Sequence, residues 1–468
     1  MSTADLDDDT QPAMAASSLP PQATTSPKPL SQRQILNTWW PLAAGWLLMT
    51  VETPMLAAFV ARLPNPEINL AAWGIAFPIA LLFGAPALAL LATSTTFSKD
   101  WDSYRRLRRF ALILIGLLVG LHGAVAFTPL YDIVANQILD VPEELFEPAR
   151  MGLQILLPFV AAVGIRRLNN GVLIRFGYSR AVTLSAVTRL AVDTVVIVLF
   201  QFLPEVSGIV FASITFASGV CGEAIYSAIR VRPILRHQLQ EAPPPEEPLT
   251  LSPLIQFYMP LVMTILIQVL IQPIVAAALS RLPNPIPSLA VWPVIIGMIS
   301  ILSSSAHAYV EAVVVVLDEP NPLPNIHRFT AKLSLILVGI LLIFNATPLS
   351  EYWFREVQAL PENLVTIARQ SLWIMTLAPA LAVADALSSG TLMSGRRTRR
   401  ITESVVLSLL FSIVLMIIGI FIGRWSGLTV CLLALVIGGL LRSLWLWRSA
   451  APVRHSIRLR DVQTVGSI

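Results

Sequence analysis

A chain of 468 residues that is 55% hydrophobic and 13% charged, with a mean hydropathy of +0.71, lacks the polar surface a soluble globule of this size needs. The net charge of +4 is small and its basic residues sit at the ends of apolar runs, which argues for membrane orientation and against a nucleic-acid partner. The two cysteines, Cys221 and Cys431, both lie inside apolar runs, so packing rather than a disulfide framework is expected of them.

Twelve apolar runs are long enough to cross a hydrocarbon core of roughly 30 Å: 38–61, 68–96, 110–136, 149–174, 181–203, 207–229, 253–280, 287–316, 329–346, 363–392, 401–423 and 426–447. The expected fold is an all-α integral membrane protein of twelve transmembrane helices. Residues 1–33, with Asp7 to Asp9 and a tract of Pro, Ser, Thr and Ala, read as a disordered cytoplasmic tail. A first six-helix lobe is expected at 34–233, a proline-rich charged linker at 234–252, a second lobe at 253–451 and a basic tail at 452–468. Arginines follow spans 2, 4, 6, 10 and 12, whereas Asp132, Asp140, Glu143, Glu144 and Glu147 follow span 3. The positive-inside rule then puts both termini in the cytoplasm of a plasma (inner) membrane protein.

Candidate residues follow in chain order. Glu52 stands near mid-bilayer in span 1, where a carboxyl is costly unless it faces protein or water, and Pro54 should kink the helix beside it. Arg62 ends span 1; it either snorkels to the interface or belongs to a ring of positive charge at a cleft mouth. Pro78 and Pro86 should break span 2 as Pro293 should break span 8, and Pro54, Pro78, Pro273 and Pro293 are the expected hinges. In span 4, Arg166, Arg167, Asn169 and Asn170 are followed by more apolar helix, so they are expected to face a polar interior. Arg189 and Asp193 in span 5 are spaced for an intrahelical bridge. Glu223 in span 6, Gln268 and Gln272 in span 7, Asp385 in span 10 and Arg442 in span 12 complete the expected substrate or ion pathway. His307 and Glu311 share one face of span 8.

The chain is a tandem copy. Pro54 to Trp73 returns as Pro273 to Trp292, 219 residues later, with 11 of 20 positions identical. The same offset matches Pro41 with Pro260, Gly171 with Gly390 and Arg180 with Arg399, and makes Arg281 and Pro273 the copies of Arg62 and Pro54. It also places Asp385 at the position of Arg166 and Arg442 at that of Glu223, so equivalent sites carry opposite charge twice. Six spans per copy give parallel repeats related by a pseudo-two-fold axis along the membrane normal, a plan used by carriers with a site between two lobes. If the paired sites face that axis, Arg166 and Asp385 are expected to meet across it.

Gln256 to Arg281, Gly171 to Ser179 and Ala126 to Ile133 resemble the progressive ankylosis protein family. That resemblance implies the fold of two six-helix lobes shared by the multidrug and toxic compound extrusion transporters, the lipid-linked oligosaccharide flippases and the polysaccharide exporters. It also implies monomeric action and export of a small molecule. A small organic or phosphate-containing anion is expected first, because guanidinium groups bind such ions bidentately. A proton- or sodium-coupled organic-cation antiporter, with Glu52 as the coupling acid, is the alternative, and a lipid-linked glycan comes third. No HExxH, GxSxG, P-loop or metal-binding pattern is present in the sequence, so neither enzyme activity nor a cofactor is expected, beyond possible proton or sodium coupling.

Overall fold

The computed structural model describes residues 30–202, 206–243 and 249–466. Each predicted span is a helix, labelled here α1 to α12: Gln32–Val60, Pro66–Phe97, Trp101–Phe127, Glu143–Arg175, Ser179–Phe200, Gly208–Leu239, Leu251–Arg281, Pro285–Val316, Pro322–Ala346, Glu362–Ser394, Arg399–Ile422 and Gly427–Asp461. Local chemistry fixes several starts. Ser31 and Gln34 form a reciprocal cap at α1, and Asp100 Oδ1 accepts from Ser103 N (2.8 Å) at α3. The duplicated Leu-Pro-Asn-Pro is a helix-start device. Asn65 and Asn284 take positive φ (52° and 58°), which asparagine tolerates, and the following proline supplies the first helical residue of α2 and α8.

Proline breaks fewer helices than expected. Span 1 is interrupted at Val51, one residue before Glu52, so that Pro54 falls in the first turn of a new helical segment. In α2 the interruption is at Ala89, beyond Pro86, while the helix runs unbroken through Pro78. The α7 helix runs through Pro273 and α8 through Pro293 without a break. A single missing hydrogen bond is absorbed there, so Pro78, Pro273 and Pro293 are not interruptions.

Boundaries also shift. Leu30 is buried and the helix begins at Gln32, so the last residues of the expected tail are folded; residues 1–29 lie outside the described part. The α6 helix continues through a π-helical turn to Leu239, well into the expected linker. The basic tail is the continuation of α12, helical through Pro452 to Gly466. Its Val453 and Ile457 are buried with Leu30, Ile35 and Leu317, and Arg460 Nη2 donates to Leu317 O (3.1 Å).

Within each lobe the second, fourth and sixth helices pack together. The lobes meet where α2 lies on α8: at Gly74 a Cβ would stand 2.8 Å from Leu289 O, so only glycine permits this approach. The helices α4 to α6 form no packed interface with α10 to α12 among the described residues. Two helices cross over. The first half of α1 packs on α8 and α9, with Trp39 Nε1 donating to Ser305 O (2.9 Å). The start of α7 packs on α2, with Tyr258 Oη donating to Pro86 O (3.0 Å).

Candidate functional site

The first lobe holds a buried ionic network. Arg166 of α4 donates from Nη1 to Glu223 Oε2 of α6 at 2.6 Å, and both are almost fully buried. Ser185 Oγ of α5 donates to the other oxygen of Glu223 (3.0 Å). Arg189 of α5 reaches Glu52 from Nη2 at 2.6 Å, stands 3.9 Å from Glu223 and lies over the Phe216 ring. Asn169 Nδ2 donates to Ser227 Oγ (3.3 Å). Arg167 Nε, Asn170 Oδ1 and both Asp193 oxygens are buried without a hydrogen-bond partner. Asp193 lies close to Glu52 and against the bare Cα of Gly219, where a Cβ would collide with it. The expected Arg189–Asp193 bridge is therefore not formed. Arg189 turns to Glu52 on α1, a partner that spacing within α5 could not reveal.

The second lobe repeats one part of this network, the Arg166–Glu223 bridge, with the charges exchanged. Asp385 of α10 receives Ser443 Oγ (2.6 Å) and lies 3.3 Å from Arg442 Nε of α12. The expected meeting of Arg166 with Asp385 across the axis is thus replaced by one bridge inside each lobe. Each residue has its partner at hand on its own α4–α6 or α10–α12 pair, so the charge is neutralised before it reaches the interface.

These two bridges border equivalent cavities of very different size. In the first lobe, Leu48, Glu52, Arg166, Ala186, Arg189, Leu190 and Glu223 enclose about 30 Å³, room for about one water. Their copies are Ile267, Ile271, Asp385, Val405, Ser408, Leu409 and Arg442, and all seven line a cavity of about 560 Å³ in the second lobe, joined by Gln268 and His307. The difference has a visible cause. Glu52 and Arg189 bridge the first cavity, while their copies Ile271 and Ser408 bear no charge and leave the second open. Gln268 faces this cavity; Gln272 is half-buried on α7 and does not line it. In the open cavity Arg442 is 34% exposed and Asp385 13%. Trp46 of α1 stacks on His307 (5.0 Å between centroids) and donates from Nε1 to Glu311 Oε1 (3.1 Å), so the crossed-over first helix reaches a residue of the cavity wall.

Arg62 and Arg281 form neither a free ring of charge nor a snorkelling pair. Arg62 Nη2 donates to Glu356 O (2.8 Å) and Val357 O (3.0 Å) of the opposite lobe, and Arg281 Nη2 donates to Ile138 O (2.7 Å). Their acceptors are equivalent carbonyls at the ends of the π-helical turns Ile133–Leu139 and Trp353–Val357, where backbone oxygens lack their usual partners. Each lobe thereby latches the other. Asn363 Nδ2 adds a bond to Glu67 Oε2 (3.2 Å) across the same end.

The sequence matches no known family description and no curated protein. The fold does have relatives. An inward-facing multidrug resistance MATE family transporter of the MOP superfamily superposes with a TM-score of 0.68 at 14% identity, covering 91% of this chain and 99% of that one. The lipid II flippase MurJ, in an inward closed conformation, gives 0.63 at 14%, covering 91% and 90%. An outward-facing MATE family transporter gives 0.52 at 15%, covering 90% and 96%. At these identities the likeness is one of fold: the chain is a twelve-helix integral membrane protein with the two-lobe architecture of the MATE transporters.

Proposed function

We propose that the protein is a secondary transporter that moves a small organic or phosphate-containing anion by rocking its two lobes, acting as a monomer in the plasma (inner) membrane with both termini cytoplasmic. One observation carries the reading. A bundle latched at the end bearing Arg62 and Arg281 contains a largely apolar cavity of about 560 Å³ with a few polar groups, whose more exposed charge is the Arg442 guanidinium. Asp385 is occupied by Ser443 and by Arg442 itself, so an anion in the cavity can meet the free edge of Arg442 and the NH2 of the Gln268 amide. Under the positive-inside rule the latched end is outside. The better superposition on the inward-facing MATE structure than on the outward-facing one supports an inward-open state.

Glu52 is the proposed coupling acid for protons or sodium. Its bridge to Arg189 keeps the first cavity shut, and a cation arriving at Glu52 or Asp193 competes with that bridge. The unpartnered Asp193 oxygens favour, as second reading, an organic-cation antiporter like the multidrug relatives. A lipid-linked glycan, as the likeness to a flippase suggests, ranks third.

The test is flux in reconstituted vesicles with labelled citrate, pyrophosphate and nucleotide beside a cationic dye, with and without pH or sodium gradients. Anion flux lost in Arg442→Ala is expected. Gradient-driven dye movement abolished by Glu52→Gln, with no anion flux, would instead establish the second reading.

A further inference from the structure

The helices α11 and α12 have two faces. Val405, Ser408 and Ser412 of α11 and Arg442 of α12 look into the cavity of the second lobe, and the neighbouring positions look outward into a separate groove of about 610 Å³. Val406, Leu407 and Leu410 with Trp445 wall that groove, and Arg399, Arg400 and Glu403 rim it. At about 1.5 Å rise per residue, Leu410 lies about 16 Å along the helix from Arg399. That is half of a hydrocarbon core of roughly 30 Å. The groove therefore runs from the membrane surface to the bilayer middle, the depth of one leaflet.

Its charge selects the occupant. Arg399 and Arg400, 91% and 53% exposed, share one acid: Arg399 Nε stands 3.3 Å from Glu403 Oε1 and Arg400 Nη1 2.9 Å from Oε2. One positive charge is left over, and Arg396, Arg397 and Arg448 are exposed at the same end of α10 and α12. A long apolar slot under an arginine-rich mouth matches a molecule with an acyl chain and an anionic phosphate. We infer that the groove binds one anionic glycerophospholipid, its phosphate on Arg399 and Arg400 and a chain along Leu407, Leu410 and Trp445. Because the slot and the cavity share their wall, a seated lipid braces the helices that carry Ser408 and Arg442.

Lipid occupancy can be read without any transport assay, from the fluorescence of Trp445, isolated as the difference between the native protein and Trp445→Phe. The protein is placed in phosphatidylcholine nanodiscs doped with acyl-brominated phosphatidylglycerol or acyl-brominated phosphatidylcholine. The anionic lipid should quench Trp445 at about fivefold lower mole fraction, the effect of about one net surface charge. Arg399→Ala/Arg400→Ala, which leaves only Glu403 at the rim, should abolish or reverse this preference, the double lysine variant should retain it, and Glu403→Gln should enlarge it about fivefold. Opposite shifts in variants of one rim cannot arise from a folding defect. Equal quenching by the two lipids in the native protein, or a preference that survives the double alanine variant, would overturn the assignment.

Discussion

Removing the arginine latch should open the end it closes. Arg62 makes two cross-lobe bonds of 2.8 and 3.0 Å, and Arg281 makes one of 2.7 Å backed by longer approaches to Leu139 O (3.4 Å) and Gln137 O (3.5 Å). A hydrogen bond from a charged donor contributes about 1.5–3 kcal/mol when well shielded. Both arginines are exposed, so water takes over part of that on opening, and about 1–2 kcal/mol per residue is a fair net value. At about 1.4 kcal/mol per factor of ten, Arg62→Ala should shift the closed-to-open ratio roughly tenfold, and the double variant with Arg281→Ala up to several hundredfold. Nitroxides at Glu144 and Glu362, exposed on opposite lobes at the latched end, would report this by pulsed electron resonance as a second, longer distance. If the double variant keeps the native distance distribution, the arginines contribute nothing and closure rests on α2–α8 packing and the Asn363–Glu67 bond.

Three further outcomes follow from the packing. Gly74→Ala places a methyl against Leu289 O and should lengthen the same spin-label distance with both arginines intact. Arg189→Ala strands Glu52 beside Asp193 and should cost about 3–5 kcal/mol, read as a lower melting temperature in detergent, with part of the loss recovered by adding Glu52→Gln. Arg166→Asp and Glu223→Arg should each destabilise by a similar amount, while the double exchange should recover only part of the loss with Arg189 present, since Arg189 stands 3.9 Å from Glu223, and more of it when Glu52→Ile and Arg189→Ser are added to copy the second lobe.

The twelve helices were legible because bilayer thickness demands long apolar runs, and the duplication was legible because Leu-Pro-Asn-Pro is kept in both copies for its turn geometry. The buried charges were legible one by one, since an ionisable residue inside a span needs a reason. Their partners were not, although the sequence contained the signal. Two internal copies amount to a two-row alignment, and a simultaneous change of Arg166 to Asp385 and Glu223 to Arg442 is the compensating exchange expected of a pair in contact within one lobe. Glu52 and Arg189 likewise become Ile271 and Ser408 together, and Asp193 on Gly219 becomes Ser412 on Gly438. Facing across the axis, by contrast, pairs a residue with its own copy and misses the partner inside the lobe. The latch left no such trace, because its acceptors are backbone carbonyls of π-helical turns and any sequence has carbonyls. Which prolines interrupt their helices was not legible for a related reason: composition marks where a helix can break, and the neighbours that absorb the lost bond are known only from packing.

Rocking requires the latched end to part during each cycle. Glu67 and Asn363, hydrogen-bonded across that end, can be replaced by cysteines and joined with a short reducible thiol cross-linker in reconstituted vesicles loaded with labelled anion. Flux should fall to background on cross-linking and return on reduction. Undiminished flux through the cross-linked protein would contradict a carrier whose lobes must separate there.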